Sequence, residues 1–199
     1  VTANASSAAI GSVLAGSAGL TTAGSGALTL NGSTANTLSG GVSVTAGTLA
    51  LDFANLATPT NLIASANALT LGNGTLSLKG QSSGTTAQTF NGLTLNAGAS
   101  AIAVDSNGGT ATNLTLGTVT HNNGGAVNFT LPAAGAVAVS NTNTNGILGS
   151  WATVGSGASQ KYATVSAGNV AAYTGGAPAA TPADMTSNTG TVNYDLAAG

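Results

Sequence analysis

The pattern Leu-x-Leu, with a small residue between the leucines, constrains the fold more than any other feature of this chain. Copies of the pattern start at Leu28, Leu49, Leu69, Leu76, Leu93 and Leu114. Two leucines separated by one residue point to the same side of a strand, and the residue between them points to the other side. Most copies follow the one before by about 20 residues, and a strand pattern that returns at this interval predicts a coil of fixed circumference.

Residues 69–78 show the repeating unit. Leu69-Thr70-Leu71 is predicted to be a strand, Gly72-Asn73-Gly74 a corner, and Leu76-Ser77-Leu78 the next strand. A two-stranded hairpin is an alternative for this loop, but a hairpin does not explain the recurrence along the chain.

The predicted fold is therefore all-β: a right-handed parallel β-helix, or β-solenoid, with coils of about 20 residues. Residues 1–175 form the solenoid, and residues 176–199, which contain Pro178 and Pro182, form a connection and a terminal strand. Glycines interrupt every helical pattern, so helix should make up less than a tenth of the residues. Ten leucines should face the interior: Leu28, Leu30, Leu49, Leu51, Leu69, Leu71, Leu93, Leu95, Leu114 and Leu116.

Charged side chains are scarce, and this excludes several classes of function. The 199 residues include only 2 Lys+Arg and 4 Asp+Glu, whereas about a quarter of an ordinary globular chain is charged. Nucleic-acid binding depends on clusters of basic residues, which two lysines do not supply. The chain has no run of about 18 apolar residues that would predict a membrane span. It also has no cysteine, so disulfides, thiolate metal sites and cysteine nucleophiles are excluded.

The acidic residues do not form a predicted active site. Glycoside hydrolysis needs two carboxylates that face each other at most about 9.5 Å apart. Asp52 and Asp105 are expected to lie about two and a half coils apart, or about 12 Å along the solenoid axis. Lys79 and Lys161 are interpreted as isolated. With Asp184 and Asp195 as the remaining acids, the chain is not predicted to be an enzyme, and no catalytic, cofactor or metal site is assigned.

His121 and Trp151 are the side chains with the most binding potential. A single histidine without further ligands does not make a metal site, so His121 is expected to be an exposed corner residue. Trp151 either closes a thin part of the core or offers a stacking surface to a sugar.

The Thr-x-Thr pairs that begin at Thr58, Thr110, Thr118, Thr142 and Thr189 follow no single period, so they do not predict the regular ladder of an ice-binding face.

Two parts of the chain carry a family resemblance. Residues 24–53 contain a Gly-x-Gly-x-Leu-x-Leu strand, then Asn36-Thr-Leu-Ser-Gly-Gly, then Val44-x-Ala-Gly-x-Leu. They resemble the autotransporter-associated β-strand repeat, with Leu38 where that family commonly has an aromatic residue. Residues 88–95 and 145–154 are similar to a longer form of the repeat, in which Tyr162 takes the place of a second Trp. The resemblance covers about residues 10–175.

The resemblance implies a secreted bacterial β-solenoid that serves as a stalk, a fibre or an adhesin passenger on the cell surface. The expected function is therefore structural, in a module that assembles end to end with other copies or with adjacent repeats of one chain. The alternatives are a carbohydrate- or ice-binding surface solenoid and, with less support, a polysaccharide-degrading enzyme. Because the sequence starts at Val1 without a leader, it is expected to be a processed chain or a piece of a longer one.

The sequence also predicts which residues lie at the corners of the solenoid and how its two ends are covered. Asn tolerates left-handed backbone conformations, so Asn73, Asn96 and Asn123 are expected at corners, where stacked Asn side chains would form ladders. Neither end contains a run of charged residues that would act as a cap, so both terminal rungs are expected to be buried against another copy. A fibre with only Lys79 and Lys161 as cleavage sites should resist trypsin-like proteases.

Overall fold

The computed structural model describes residues 6–175 and the strand segments 177–178 and 194–195. The described residues contain strands and one short 3-10 turn, Gly157–Ser159, which confirms the all-β prediction. The connection predicted for residues 176–199 otherwise lies outside the described residues. In chain order the strands are β1 (Ala8–Ile10), β2 (Ala15–Gly16), β3 (Leu20–Thr22), β4 (Ala27–Leu30), β5 (Thr37–Leu38), β6 (Val42–Val44), β7 (Thr48–Asp52), β8 (Leu69–Leu71), β9 (Thr75–Lys79), β10 (Thr85–Thr89), β11 (Leu93–Leu95), β12 (Gly98–Asp105), β13 (Ala111–Thr115), β14 (Val119–His121), β15 (Gly125–Thr130), β16 (Gly135–Ala138), β17 (Ala152–Val154), β18 (Lys161–Ser166), β19 (Asn169–Ala172), β20 (Ala177–Pro178) and β21 (Tyr194–Asp195).

The strands stack in parallel on three faces of one coil, which confirms the β-solenoid. Face A consists of β1, β4, β7, β9, β12, β15 and β17. Face B begins with the pair β2–β5 and ends with β10–β13–β16, and single bridges at Asn36–Ile63 and Thr60–Ala87 lie between them. Face C consists of β3, β6, β8, β11 and β14. Strands β8 and β9 pair with neighbouring coils and not with each other, so residues 69–78 form a corner of the coil and not a hairpin.

The core is a column of stacked aliphatic side chains. All ten leucines that were predicted to face the interior are buried, and none is more than 1% exposed. The pairing is in register, so that Leu28 lies against Leu49 and Leu49 lies against Leu76 on face A. Each rung thus presents its inward residues to the matching residues of the next rung, about 4.8 Å away.

The circumference of the coil increases along the chain. On face A, Ala8 pairs with Leu28 and Leu28 pairs with Leu49, so the predicted coil length of about 20 residues holds for the first two coils. The later coils are longer, and the prediction is wrong for them. Lys79 follows its in-register partner Asp52 by 27 positions, and Thr153 follows Asn128 by 25. The wider coils enclose more space, and the fully buried phenylalanines Phe53, Phe90 and Phe129 fill it.

Asparagines lie at the corner between faces C and A, as predicted. Asn73 has a positive φ of 71° and separates β8 from β9. Asn96 and Asn123 occupy the same corner in the next two coils, and all three residues are exposed. The ladder contact, however, joins Asn122 Nδ2 to Asn96 Oδ1 at 2.8 Å. Asn122 and not Asn123 is in register with Asn96, because Asn122 N–H donates to the carbonyl of Leu95.

The C-terminal end of the solenoid is closed, so the prediction that neither end carries a cap is wrong at this end. Strand β18 turns back and pairs antiparallel with β17, and β19 then pairs antiparallel with both β18 and β16. Ala167 and Gly168 have φ values of 48° and 81°, as in the tight turns that favour hairpins. This hairpin, here called the C-terminal cap, joins the last strand of face A to the last strand of face B. It protects the backbone by strand pairing and not by charge, which is why the lack of charged residues gave no sign of it.

At the N-terminal end, no strand of the described residues precedes the first rung. Strands β1, β2 and β3, here called the N-terminal rung, each pair with a strand on one side only. All residues from Ser6 to Gly19 are exposed or only partly buried. The two ends of the solenoid therefore differ: an antiparallel hairpin follows the last coil, whereas no described strand precedes the first coil.

The corner at Gly47 depends on the absence of a side chain. Gly47 has a φ of 65°, and a Cβ atom there would collide with the carbonyl oxygens of Gly24 and Gly26 in the coil before it. Gly84 has a similar φ of 70° but open space where a Cβ would lie. We expect Gly84→Ala to lower the free energy of unfolding by about 1–2 kcal/mol through backbone strain alone. Gly47→Ala should lose about 1–3 kcal/mol more because the coils must move apart. Denaturant unfolding of both variants measures the difference, and equal losses would contradict the close approach at Gly47.

Candidate functional site

The charged residues of face A form a column of alternating sign. Asp52 pairs in register with Lys79, and Lys79 pairs in register with Asp105. Lys79 Nζ lies 3.3 Å from Asp52 Oδ2. The interpretation of Lys79 as isolated is wrong, because three separate strand ends bring the residues together. The two aspartates are two rungs apart, about 9.6 Å, and not two and a half.

Both carboxylates also hold local turns. Asp52 Oδ1 accepts a hydrogen bond from the N–H of Ala54 at 3.0 Å, and Asp105 Oδ1 accepts one from the N–H of Asn107 at 2.8 Å. Aspartate commonly supports a turn in this way. The ammonium group of Lys79 lies between the two carboxylates in the column. The three side chains are therefore arranged to stabilise the edge of face A where β7, β9 and β12 end. The side chains of Asp184 and Asp195 lie outside the described part of the chain.

His121 and Trp151 stack on each other. Their ring centroids are 4.9 Å apart and their planes differ by 7°. His121 is exposed, as expected, and its Nε2 lies 2.9 Å from the carbonyl oxygen of Gly125. Trp151 is partly buried and packs against the hydrophobic core. One face of the indole is therefore occupied by His121, which favours the core-closing role of Trp151 over a sugar-stacking role. The two residues lie far apart in the sequence, so no local pattern indicated the pair.

Side-chain amides form hydrogen bonds with backbone N–H and C=O groups at positions where no neighbouring strand pairs with them. Gln88 is 1% exposed; its amide accepts a hydrogen bond from the N–H of Ile63 at 3.2 Å and donates to the carbonyl of Ile63 at 2.8 Å. Asn141 makes the same two contacts with Val119, at 2.7 and 2.9 Å, where the ladder of face C ends. Asn143 does so with Val165 of the C-terminal cap. Because buried backbone groups need partners, these amides continue the ladder without a strand.

Gln88 offers a test of this role. Gln88→Met keeps the volume of the side chain but leaves the N–H and the carbonyl of Ile63 without a partner. We expect a loss of about 1–3 kcal/mol in the free energy of unfolding for each group left unpaired. Gln160→Met, at an exposed position, should change it by less than about 0.5 kcal/mol. Urea unfolding of the two variants makes the comparison, and a stable Gln88→Met variant would show that the amide contacts carry little free energy.

Hydroxyl side chains form a straight column on the outside of face C. Thr21, Ser43, Thr70, Thr94 and Thr120 pair in register, one in each rung. Each is the middle residue of a strand whose neighbours on both sides are predominantly buried and aliphatic. Thr-x-Thr pairs do not indicate this hydroxyl column, because a column needs only one Thr or Ser in each coil.

The described surface also contains a shallow depression. It has a volume of about 230 Å³ and lies at the corner between faces A and B, with Ser33, Thr34, Leu56 and Thr58 among its lining residues. None of the residues that line it carries a charge.

Within residues 6–175, no three His, Asp or Glu side chains lie close enough to hold a metal ion together. The described part of the chain also contains no helix long and apolar enough to span a membrane.

Comparison with known proteins does not identify a relative. No protein-family profile, no curated protein and no solved structure matches the chain. The similarity to the autotransporter-associated repeat therefore stays a prediction from the sequence motifs.

Proposed function

We propose that this chain is a structural module of an extracellular stalk, fibre or surface adhesin. The observation that carries the proposal is the continuous parallel ladder of face A, in which seven strands pair in sequence from β1 to β17. Six steps of about 4.8 Å give the module a rise of about 29 Å. Backbone hydrogen bonds between successive rungs run along this rise. They hold the two ends of the module at a fixed distance, as a stalk or fibre requires.

The environment of the charged groups supports a non-enzymatic role. The carboxylates of Asp52 and Asp105 hold turns and flank Lys79 in one column. General acid and base groups in glycosidases instead face each other across a cleft that holds the substrate. Structural contacts therefore account for the placement of these side chains.

End-to-end contact is proposed at the N-terminal rung, whose strands are the edge strands of their ladders among the described residues. Such edges template further pairing. The partner is another copy of the module or an adjacent repeat of a longer chain, in agreement with the resemblance to surface repeat proteins.

Tandem copies of the module test the structural role. A stalk module should extend a fusion protein by a constant increment for each copy, because a rigid rod has a length proportional to the number of its units. We expect electron microscopy of two, four and six copies to show a linear increase. Copies joined by long Gly/Ser linkers serve as the control, since flexible chains grow as about the square root of their length. Square-root growth in the direct fusion would contradict a stalk.

The hydroxyl column supports a second candidate, a surface that binds a flat carbohydrate or ice. Its members repeat about every 4.8 Å along the axis, so they present evenly spaced hydrogen-bonding groups. If this function is correct, Thr70→Lys with Thr94→Lys should reduce adsorption to crystalline polysaccharide or ice at least tenfold. Ala101→Lys on face A is the control. Adsorption that is absent in the parent chain, or unchanged in the double variant, would rule out this candidate.

A further inference from the structure

We propose that the shallow depression between faces A and B binds one neutral sugar ring, either as a free monosaccharide or as the end unit of a glycan. The inference goes beyond the stalk function and does not depend on it, because two neighbouring coils of a single module form the depression. It concerns a step in the wall of the solenoid, four hydroxyl side chains and an uncharged lining.

The depression lies where a narrow coil meets a wide one. The first two coils take about 20 residues each, and the coils that follow are longer. The N–H of Ala57 in the wide coil donates to the carbonyl of Ser33 in the narrow coil at 3.1 Å. Further along, Ile63 and Asn36 form a bridge between the same two coils. The wide coil takes twice as many positions as the narrow coil between these two contacts, so its extra residues extend outward.

The extra residues form a ledge that the next coil holds in place. The ledge consists of residues 58–61. The N–H of Ala87 in that next coil donates to the carbonyl of Pro59 at 2.9 Å, and the N–H of Asn61 donates to the carbonyl of Ala87 at 2.8 Å. The narrow coil is too short to follow the ledge, and the step between them is the depression of about 230 Å³. The concave shape therefore results from strand pairing and is present before any ligand binds.

Hydroxyl side chains line both sides of the step. Ser33 and Thr34 belong to the narrow coil, Thr58 and Thr60 belong to the ledge, and all four residues are exposed. Their hydroxyl groups form no hydrogen bond with another group among the described residues. A serine or threonine hydroxyl offers one donor and two acceptor lone pairs. Four such groups around one depression match a ligand that carries several hydroxyls of its own.

The rest of the lining is apolar and uncharged. Leu56, which is only 2% exposed, and the partly buried Ala35 contribute aliphatic surface. A sugar ring has C–H groups on its face, which pack against such surface, and hydroxyls at its edge, which reach the surrounding polar groups. None of the lining residues carries a charge, so a charged ligand would lose water without gaining an ionic partner. The lining therefore favours a neutral ring over an acidic or an amino sugar.

The wall that contains Leu56 is fixed by a side-chain amide. Gln81 Nε2 donates to the carbonyls of Phe53 and Leu56 at 3.2 and 2.7 Å, and the N–H of Leu56 donates to the carbonyl of Phe53 at 3.0 Å. A wall that is already ordered lowers the entropy lost on binding. The volume is smaller than the roughly 300–1,000 Å³ of pockets for drug-sized ligands. One ring therefore fits, and we expect a dissociation constant on the order of 1–10 mM.

NMR titration tests the proposal, since amide chemical shifts report both weak binding and its location. The probes are the methyl glycosides of glucose, galactose and mannose. We expect at least one of them to cause saturable shifts confined to residues 33–35 and 56–60. Glucuronate and glucosamine, which add a charge to a similar ring, should bind at least tenfold more weakly. A trisaccharide that ends in the best ring separates the two sources: tighter binding than the single ring supports a glycan end, and equal binding supports a free sugar.

Paired variants show whether the hydroxyls act specifically. Thr34→Val with Thr58→Val removes two hydroxyls at nearly constant shape and should weaken binding at least tenfold. Thr115→Val with Thr118→Val makes the same change at two exposed positions in another coil and should leave binding unchanged. Ser33→Phe should fill the depression and abolish binding. In every variant, unchanged amide shifts of face C show that the solenoid is folded.

Three results would overturn the proposal. The first is the absence of saturable shifts with every glycoside at concentrations tenfold above the expected constant. The second is an equal loss of binding in the two threonine pairs. The third is a set of shifts that follows the hydroxyl column of face C, which would favour the second candidate function instead. The lengths of the tandem fusions do not depend on any of these results, so the sugar site and the stalk function fail separately.

Discussion

In-register stacking of rungs is the constraint on which the rest of this structure depends. Each side chain lies about 4.8 Å from the equivalent side chain of the next coil, so every column must contain residues that tolerate close neighbours of the same kind. Inside, the column that starts at Leu28 continues through Leu49, Leu76, Ile102 and Phe129. Outside, like charges in one column would repel each other. The column of Asp52, Lys79 and Asp105 alternates in sign and so avoids this repulsion.

Stacking also explains where asparagine and glutamine are placed. Where the neighbouring coil has no strand residue at the matching position, a backbone N–H and a backbone C=O lack a partner in the ladder. Gln88, Asn141 and Asn143 meet that need with a side-chain amide, which has the same donor and acceptor as a peptide group. The solenoid thus changes its circumference without leaving these backbone groups unpaired.

The inward faces of the strands were predictable from the sequence because alternation is a local pattern. Leu69 and Leu71 identify their own strand, and both are buried. The coil length was less predictable because similar patterns occur on different faces. Leu49 lies on face A and Leu69 on face C, so the spacing between them is not a full turn. Leu69 and Leu93, both on face C, are in-register neighbours and do mark a full turn.

Contacts between distant residues were beyond sequence reasoning. Lys79 meets Asp52, and His121 meets Trp151, only because strand register aligns them. The C-terminal cap was missed for a related reason, since the chain reverses direction at Ala167 and Gly168 without a change in composition. Sequence periodicity reveals what repeats, and each of these features occurs once.

The difference between the two ends gives the solenoid a direction of disassembly. In a stack where each coil touches only its neighbours, stability is the sum of local terms, and loss of structure starts at the least supported coil. Among the described coils the first is the least buried, since every residue from Ser6 to Gly19 is exposed or only partly buried, whereas at the far end β18 and β19 link two faces and must separate together. Local unfolding should therefore begin in the narrow N-terminal coils and progress toward the wide C-terminal ones. A load applied at the N-terminus would release the chain gradually, one coil at a time, and the module would lengthen under tension before its last coils gave way.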